Sequence, residues 1–162
     1  MPAKLDKINV SFVFCDYSNE NHCRKLAELV NEYISDPMGG GTPLTLKEQL
    51  YLVDGMANHP SGFVLFACAD EEIIGMVVCF INFSTFKVKK YLYVHDVIVK
   101  KAYRRSGVGR QLLEKCISIS TERNYCKITL EVREDNAGAK MLYQSLGFQD
   151  TEPKMLFWTK TL

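Results

Sequence analysis

No two cysteines in this chain are spaced Cys-x-x-Cys, although there are six: Cys15, Cys23, Cys68, Cys79, Cys116 and Cys126. Zinc-ribbon and zinc-finger spacing is therefore absent, and cysteines set mostly among apolar residues read as reduced, buried thiols. The chain also lacks an excess of either charge: 20 Lys and Arg stand against 19 Asp and Glu, a formal +1. Such a balance does not suit a chain built as a whole for nucleic acid or an anionic membrane. No apolar run is long enough to cross a bilayer, and the opening MPAKLDKINV has no apolar leader core. Together these absences point to a cytoplasmic protein with no metal, nucleic-acid or membrane partner. Repeats, low-complexity tracts and interdomain linkers are missing too. What is present, at 162 residues and 47% hydrophobic, is enough for one domain over residues 1–162 with a proper core.

Hydrophobic spacing divides the chain into alternating element types. Ile8 to Cys15 is β-branched and aromatic and predicts a strand. Ser18 then precedes a helical pattern through Leu26, Leu29, Val30, Tyr33 and Ile34. Asp36 to Pro43, with Gly39-Gly40-Gly41 inside it, reads as a flexible loop. Thr45 and Glu48 form a capping box that opens a second helix to about Ala57. Three strands follow, Phe63–Ala69, Ile73–Phe83 and Tyr91–Val99, then a helix whose face carries Leu112, Leu113, Cys116 and Ile117. Ile128–Val132 predicts a strand, Ala137–Leu146 a helix, and Met155–Thr159 a last strand. The order β-α-α-β-β-β-α-β-α-β implies an α/β fold with a mixed, mostly antiparallel sheet flanked by helices.

The local charge is less even than the total. Between Lys87 and Lys115 there are nine Lys or Arg and two acids, Asp96 and Glu114. Five of those cations surround two glycines in KKAYRRSGVGRQLL, which joins a strand to a helix. A P-loop requires G-x-x-x-x-G-K-[ST], which does not occur, and a dinucleotide fingerprint requires glycine where Leu112 stands. What remains is a strand, Arg-x-x-Gly-x-Gly, and a helix start. Glycines allow a tight turn and close backbone approach, and a helix N-terminus offers unpaired N–H groups with partial positive charge. That combination is a cradle for a small anion, to which Arg104, Arg105 and Arg110 can add charge-assisted bonds.

Arg104-Arg105-Ser106-Gly107-Val108-Gly109 resembles the pyrophosphate loop of GCN5-related N-acetyltransferases. The likeness extends through LEVREDNAGAKMLY, residues 130 to 143, to Leu146-Gly147-Phe148, and the second motif is similar to that of ribosomal-protein N-acetyltransferases. The resemblance implies transfer of the acetyl group of acetyl-CoA to a primary amine by direct attack, the acceptor being a small molecule or a peptide. It implies cofactor contacts from Val97, Ile98 and Val99, from Arg104, Arg105, Ser106, Gly107, Val108, Gly109 and Arg110, and from Asn136, Ala139 and Tyr143. Tyr143 takes the place of the family's general acid; as a phenol beside Leu146 and Phe148 it also suits simple packing. Asn136 suits an N-cap as well as a cofactor contact. Many members have Glu where this chain has His95, a competent base near neutrality. Glu131 is the second candidate, and a water chain the third. Strand alternation puts His95 on one face with Val97 and Val99, and Asp96 on the other, in a structural role. His22 and His59 carry no partner signal. A non-catalytic coenzyme A sensor is the alternative reading, and a homodimer stays open.

Overall fold

The computed structural model describes residues 8–162. The first seven residues, which form most of the segment read as lacking a leader, lie outside the described residues. Strand β1 (Ser11–Phe14) is followed by helices α1 (Glu20–Ile34) and α2 (Leu46–Ala57). Strands β2 (Gly62–Ala69), β3 (Glu72–Ser84) and β4 (Lys89–Val99) come next. Then follow a single 3₁₀ turn (Lys101–Tyr103), α3 (Val108–Glu122), β5 (Ile128–Leu130) and α4 (Ala137–Ser145). The sheet runs β1-β2-β3-β4-β5. Its first four strands are antiparallel and β5 lies parallel to β4, as a helix crossover between them requires.

Local signals explain most boundaries. Thr45 and Glu48 form the expected capping box, Thr45 Oγ1 accepting from the Glu48 N–H while the Glu48 carboxylate accepts from the Thr45 N–H. The first helix starts one residue later than Ser18 predicts, because Asn19 Oδ1 takes the N–H groups of Asn21 and His22 while Ser18 bonds to Asp16. The glycine loop after α1 is held by hydrogen bonds. Gly39 and Gly40 donate to the Asp36 carbonyl and Gly41 to that of Ile34. A Cβ on Gly39 would collide with the Tyr33 carbonyl oxygen, so the turn closes directly onto the end of α1.

Two layers cover the sheet. Leu26 and Leu29 of α1 and Met56 of α2 pack with Val64, Phe66, Met76, Val78 and Ile98 on one face. Alternation turns Val77 and Cys79 to the other face, where Cys79 Sγ lies 4.0 Å from Cys116 Sγ of α3. Both thiols are buried, and the Cys79 thiol is pushed far up by its neighbour and by desolvation. All six cysteines are free.

The chain divides into two compact units, one ending at Glu131 and the other spanning Val132–Leu162. In the second, α4 is the only regular element among the described residues, and the predicted last strand at Met155–Thr159 does not form. Met155, Leu156, Phe157 and Trp158 are exposed. β-propensity describes how a residue suits a pleated surface and does not supply a ladder partner; among the described residues no strand pairs with this segment, so its propensity is not realised.

Candidate active site

In the first unit the site begins where α3 starts. Gly107 is the N-cap of α3, with φ 87 and ψ 2, and no side chain of the described residues caps the helix. This left-handed conformation is accessible to glycine at little cost. Among the described residues no side chain takes the N–H groups of the first turn of α3, whereas α1, α2 and α4 are capped by Asn19, Thr45 and Asn136. Several contacts brace the loop. Ser106 is buried and donates to the Tyr103 carbonyl, and Gln111 of α3 donates to the carbonyls of Ile8 and Gly107. Arg105 also has positive φ, 65.

Three of the five cations already have carboxylate partners. Lys100 Nζ lies 2.7 Å from Glu72, which also accepts from the Tyr103 hydroxyl at 2.6 Å. Arg110 faces Glu114 at 3.7 Å. Arg104 donates through Nη1 to Asp36 at 2.6 Å and through Nε to the Val99 carbonyl at 3.0 Å. The Asp36 carboxyl is held below the usual carboxylate range, first by the Met38 N–H and then by Arg104. Part of the charge read as a ligand signal therefore ties the loop to α1, β3 and the end of β4.

Gly75 of β3, which carried no role in the sequence reading, sets the height of this loop above the sheet. A Cβ there would lie 2.9 Å from the Ile98 carbonyl oxygen and 3.3 Å from Val108 Cγ1 at the start of α3. A glycine inside a strand pattern is the available sequence signal for such a close approach.

The ladder between β4 and β5 ends at the pair Val94 and Leu130. From His95 to Val99, the β5 side of β4 has no strand partner among the described residues. Val97, Ile98 and Val99 thus lie on a strand edge that can receive an extended ligand by backbone hydrogen bonds, with the Val99 carbonyl already taken by Arg104.

A bulge changes the predicted faces of β4. Val78 pairs with Asp96 but Cys79 pairs with Val94, so His95 is an extra residue. Tyr93 lies opposite Phe80, Asp96 opposite Val78 and Ile98 opposite Met76, all on the α1–α2 face. Val94, Val97 and Val99 turn to the α3 face. The His95 ring lies against Phe80 and Tyr93, with centroid distances of 5.7 and 5.6 Å. The expectation that His95 shares a face with Val97 and Val99, with Asp96 opposite, therefore fails: regular alternation cannot foresee the inserted residue. Asp96 Oδ2 lies 3.9 Å from His95 Nε2, and its carboxyl is pushed up by desolvation, partly offset by His95.

Glu131, at the end of β5, joins the same cluster. The Tyr93 hydroxyl donates to Glu131 Oε1 at 2.9 Å and lies 3.1 Å from His95 Nδ1. Desolvation and this hydrogen bond push the Tyr93 phenol up to about 12. The two candidate bases are thus linked through a residue that the sequence reading did not single out. His22 and His59 are elsewhere engaged, their Nδ1 atoms accepting from the N–H groups of Asp16 and Ser61. No group of three or more metal-ligating side chains occurs among the described residues.

In the second unit, Asn136 Oδ1 caps α4 by accepting from the Ala139 N–H at 3.1 Å. Tyr143 sits two turns further on, its ring 6.0 Å from that of Phe148. Arg133 binds Asp135 through two nitrogens, at 2.9 and 2.8 Å, which firms the turn into the helix.

Comparison with known proteins gives consistent results. The chain is 25% identical over 149 residues to thialysine N-epsilon-acetyltransferase of Bos taurus, covering 87% of this chain and 86% of that protein. It is 38% identical over 66 residues to the [ribosomal protein bS18]-alanine N-acetyltransferase of Escherichia coli K12; that match covers 41% of this chain and 45% of the relative. A crystal structure of an aminoglycoside acetyltransferase from an uncultured soil metagenomic sample, in complex with sisomicin, superposes with a TM-score of 0.78. It is 14% identical and covers 94% of this chain and 96% of that one, a likeness of fold. The model of the acetyltransferase (GNAT) family matches residues 26–148, a span that includes the glycine turn before α3, the His95–Tyr93–Glu131 cluster and α4, and the chain belongs to that family.

Proposed function

We propose that residues 1–162 act as one acetyl-CoA-dependent N-acetyltransferase domain, cytoplasmic, whose acceptor is a primary amine on a small molecule or peptide. The observation that carries this reading is the uncapped start of α3 at Gly107, placed at the end of β4 inside the segment that matches the family. A helix N-terminus whose N–H groups no described side chain takes suits a pyrophosphate. The backbone from Ser106 to Gly109, with Arg105 and Arg110, would hold it. Arg104 shapes the loop through Asp36, and the open edge of β4 at Val97, Ile98 and Val99 would take the pantetheine arm, with Asn136 and Ala139 at the start of α4 as further contacts. Bound acetyl-CoA supplies the activated acetyl thioester.

The chain's own residues supply proton transfer. His95 is the base: its Nε2 is the ring nitrogen not engaged by Tyr93, and it lies 3.9 Å from the Asp96 carboxyl. Glu131 is second choice because its Oε1 already accepts from Tyr93. Tyr143 holds the phenolic proton destined for the departing thiolate. The relatives named above modify an amine of thialysine and the alanine of a ribosomal protein, which supports a primary amine and leaves the acceptor class to experiment. A panel of polyamines, thialysine, aminoglycosides and N-terminal peptides, assayed for coenzyme A release, is the test. Release dependent on one of these amines is expected. No release from any, with no rise in melting temperature on adding acetyl-CoA, would overturn the reading.

A further inference from the structure

The hydroxyl of Tyr93 touches two partners, and it has one proton. A carboxylate can only accept, so the proton goes to Glu131 Oε1, 2.9 Å away. Toward His95 Nδ1, at 3.1 Å, the phenol oxygen then has only lone pairs to offer. Nδ1 must therefore carry a hydrogen, which leaves Nε2 with the lone pair when the ring is neutral. The other two histidines are built the opposite way. Nδ1 of His22 and Nδ1 of His59 each accept from a backbone N–H, at 3.0 and 3.2 Å, so their neutral rings carry hydrogen on Nε2.

We infer that Tyr93 is a positioning residue which, held by Glu131, fixes His95 as the Nδ1–H tautomer and so presents Nε2 as the proton acceptor. The assignment rests on hydrogen-bond geometry; its catalytic consequence rests on the reading of His95 as the base. In the proton-transfer step an N–H bond of the acceptor ammonium breaks and the Nε2–H bond of His95 forms. The resulting imidazolium is then flanked by Asp96 at Nε2 and by Tyr93, backed by Glu131, at Nδ1. Tyr93, Asp96 and Glu131 are the titratable groups that face this ring, with Phe80 as its apolar neighbour. Phe80 also stacks on Tyr93, the centroids 6.5 Å apart, which holds the phenol in place. The bulge matters for the acid beside the ring: without the extra residue, alternation would turn Asp96 away from the face that Tyr93 occupies.

The test uses the full chain labelled with ¹⁵N, and reads the imidazole nitrogens and their couplings to ring protons. With three histidines, the His95 signals are assigned by their loss in His95→Ala. At a pH where the rings are neutral, His95 should show the Nδ1–H pattern, and His22 and His59 the Nε2–H pattern. Tyr93→Phe keeps the stacked ring and removes the oxygen, and should convert His95 to Nε2–H, facing Asp96. Glu131→Ala should do the same, because the Tyr93 proton is then released toward Nδ1. In kinetics Tyr93→Phe should lower kcat/KM by about ten- to a hundredfold, less than loss of a base itself, and shift the acidic limb of the pH profile. The KM for acetyl-CoA should hold. An Nε2–H pattern for His95 in the wild type, or an Nδ1–H pattern that survives both substitutions, overturns the inference. Should the tautomers behave as expected while His95→Ala retains full turnover, the tautomer assignment stands and the base assignment falls.

Discussion

Gly75→Ala asks one methyl group to fit where the sheet and the start of α3 approach closely. The added Cβ would meet the Ile98 carbonyl oxygen at 2.9 Å, Val108 Cγ1 at 3.3 Å and Leu112 Cδ1 at 3.4 Å. Side-chain atoms can give by a few tenths of an ångström, but the backbone oxygen belongs to β4, which is hydrogen-bonded to β3 over its length. Either β3 and β4 separate locally or α3 lifts at its first turn. Overpacking of this kind costs about 1–3 kcal/mol. For a chain of this size each kcal/mol lowers Tm by roughly 2–4 °C, so a fall of about 2–12 °C is expected. Coenzyme A affinity should fall as well, because both sides of the clash border the proposed cradle. Gly55→Ala is the control. Gly55 is exposed on α2, and a Cβ added there would meet nothing within 4 Å. Replacing it should stabilise by about 0.5–1 kcal/mol through helix propensity, without effect on the cofactor. Thermal unfolding and titration calorimetry with coenzyme A read both quantities. A Gly75→Ala protein with wild-type Tm and affinity would refute the close-approach argument.

Tyr143→Phe should reduce kcat by roughly 10²-fold or more while acetyl-CoA binding holds, and near-normal turnover in the folded variant would remove Tyr143 as the acid. Arg104→Ala combined with Gly107→Val should abolish most of the Tm rise that acetyl-CoA gives, since a branched side chain is strained at φ 87 and Arg104 no longer ties the loop to Asp36; an unchanged rise would sink the cradle. Asp96→Asn should raise Tm at pH 7 yet lower turnover. The folded Asp96 carboxyl is raised by burial, so its charged form costs stability above its folded pKa, and the gain from Asn should shrink as pH falls through that folded value and be gone below about 4. The sign is opposite at Asp36, whose carboxyl is lowered: its contribution is full above about pH 4 and lost as pH drops through the folded value. Asp36→Ala should therefore lower Tm at pH 7 and have progressively less effect as pH drops through the folded value, as followed by circular dichroism.

Local chemistry determined much of this protein without help from tertiary contacts. The Thr45 capping box, the apolar face of α1 and the strand runs between Phe63 and Val132 are sequence-local patterns, and each appears within a residue or two of where spacing puts it, while the run at Ile8 becomes a strand only from Ser11. The glycine turn at Gly107 into α3 was legible for the same reason, since a left-handed glycine before a helix is a sequence-local pattern. The long-range features were decided by packing. The β4 bulge depends on the register of β3 against β4 and reverses the side on which Asp96 lies; Arg104 and Asp36 are 68 positions apart and meet because α1 and β4 end together. Tyr93 reads as one more aromatic on a strand until β5 brings Glu131 to its hydroxyl. Met155–Thr159 has the composition of a strand but no ladder partner. Propensity acts within a segment, whereas a hydrogen-bonded neighbour, a bulge or an ion pair is a relation between segments, which only the folded chain creates.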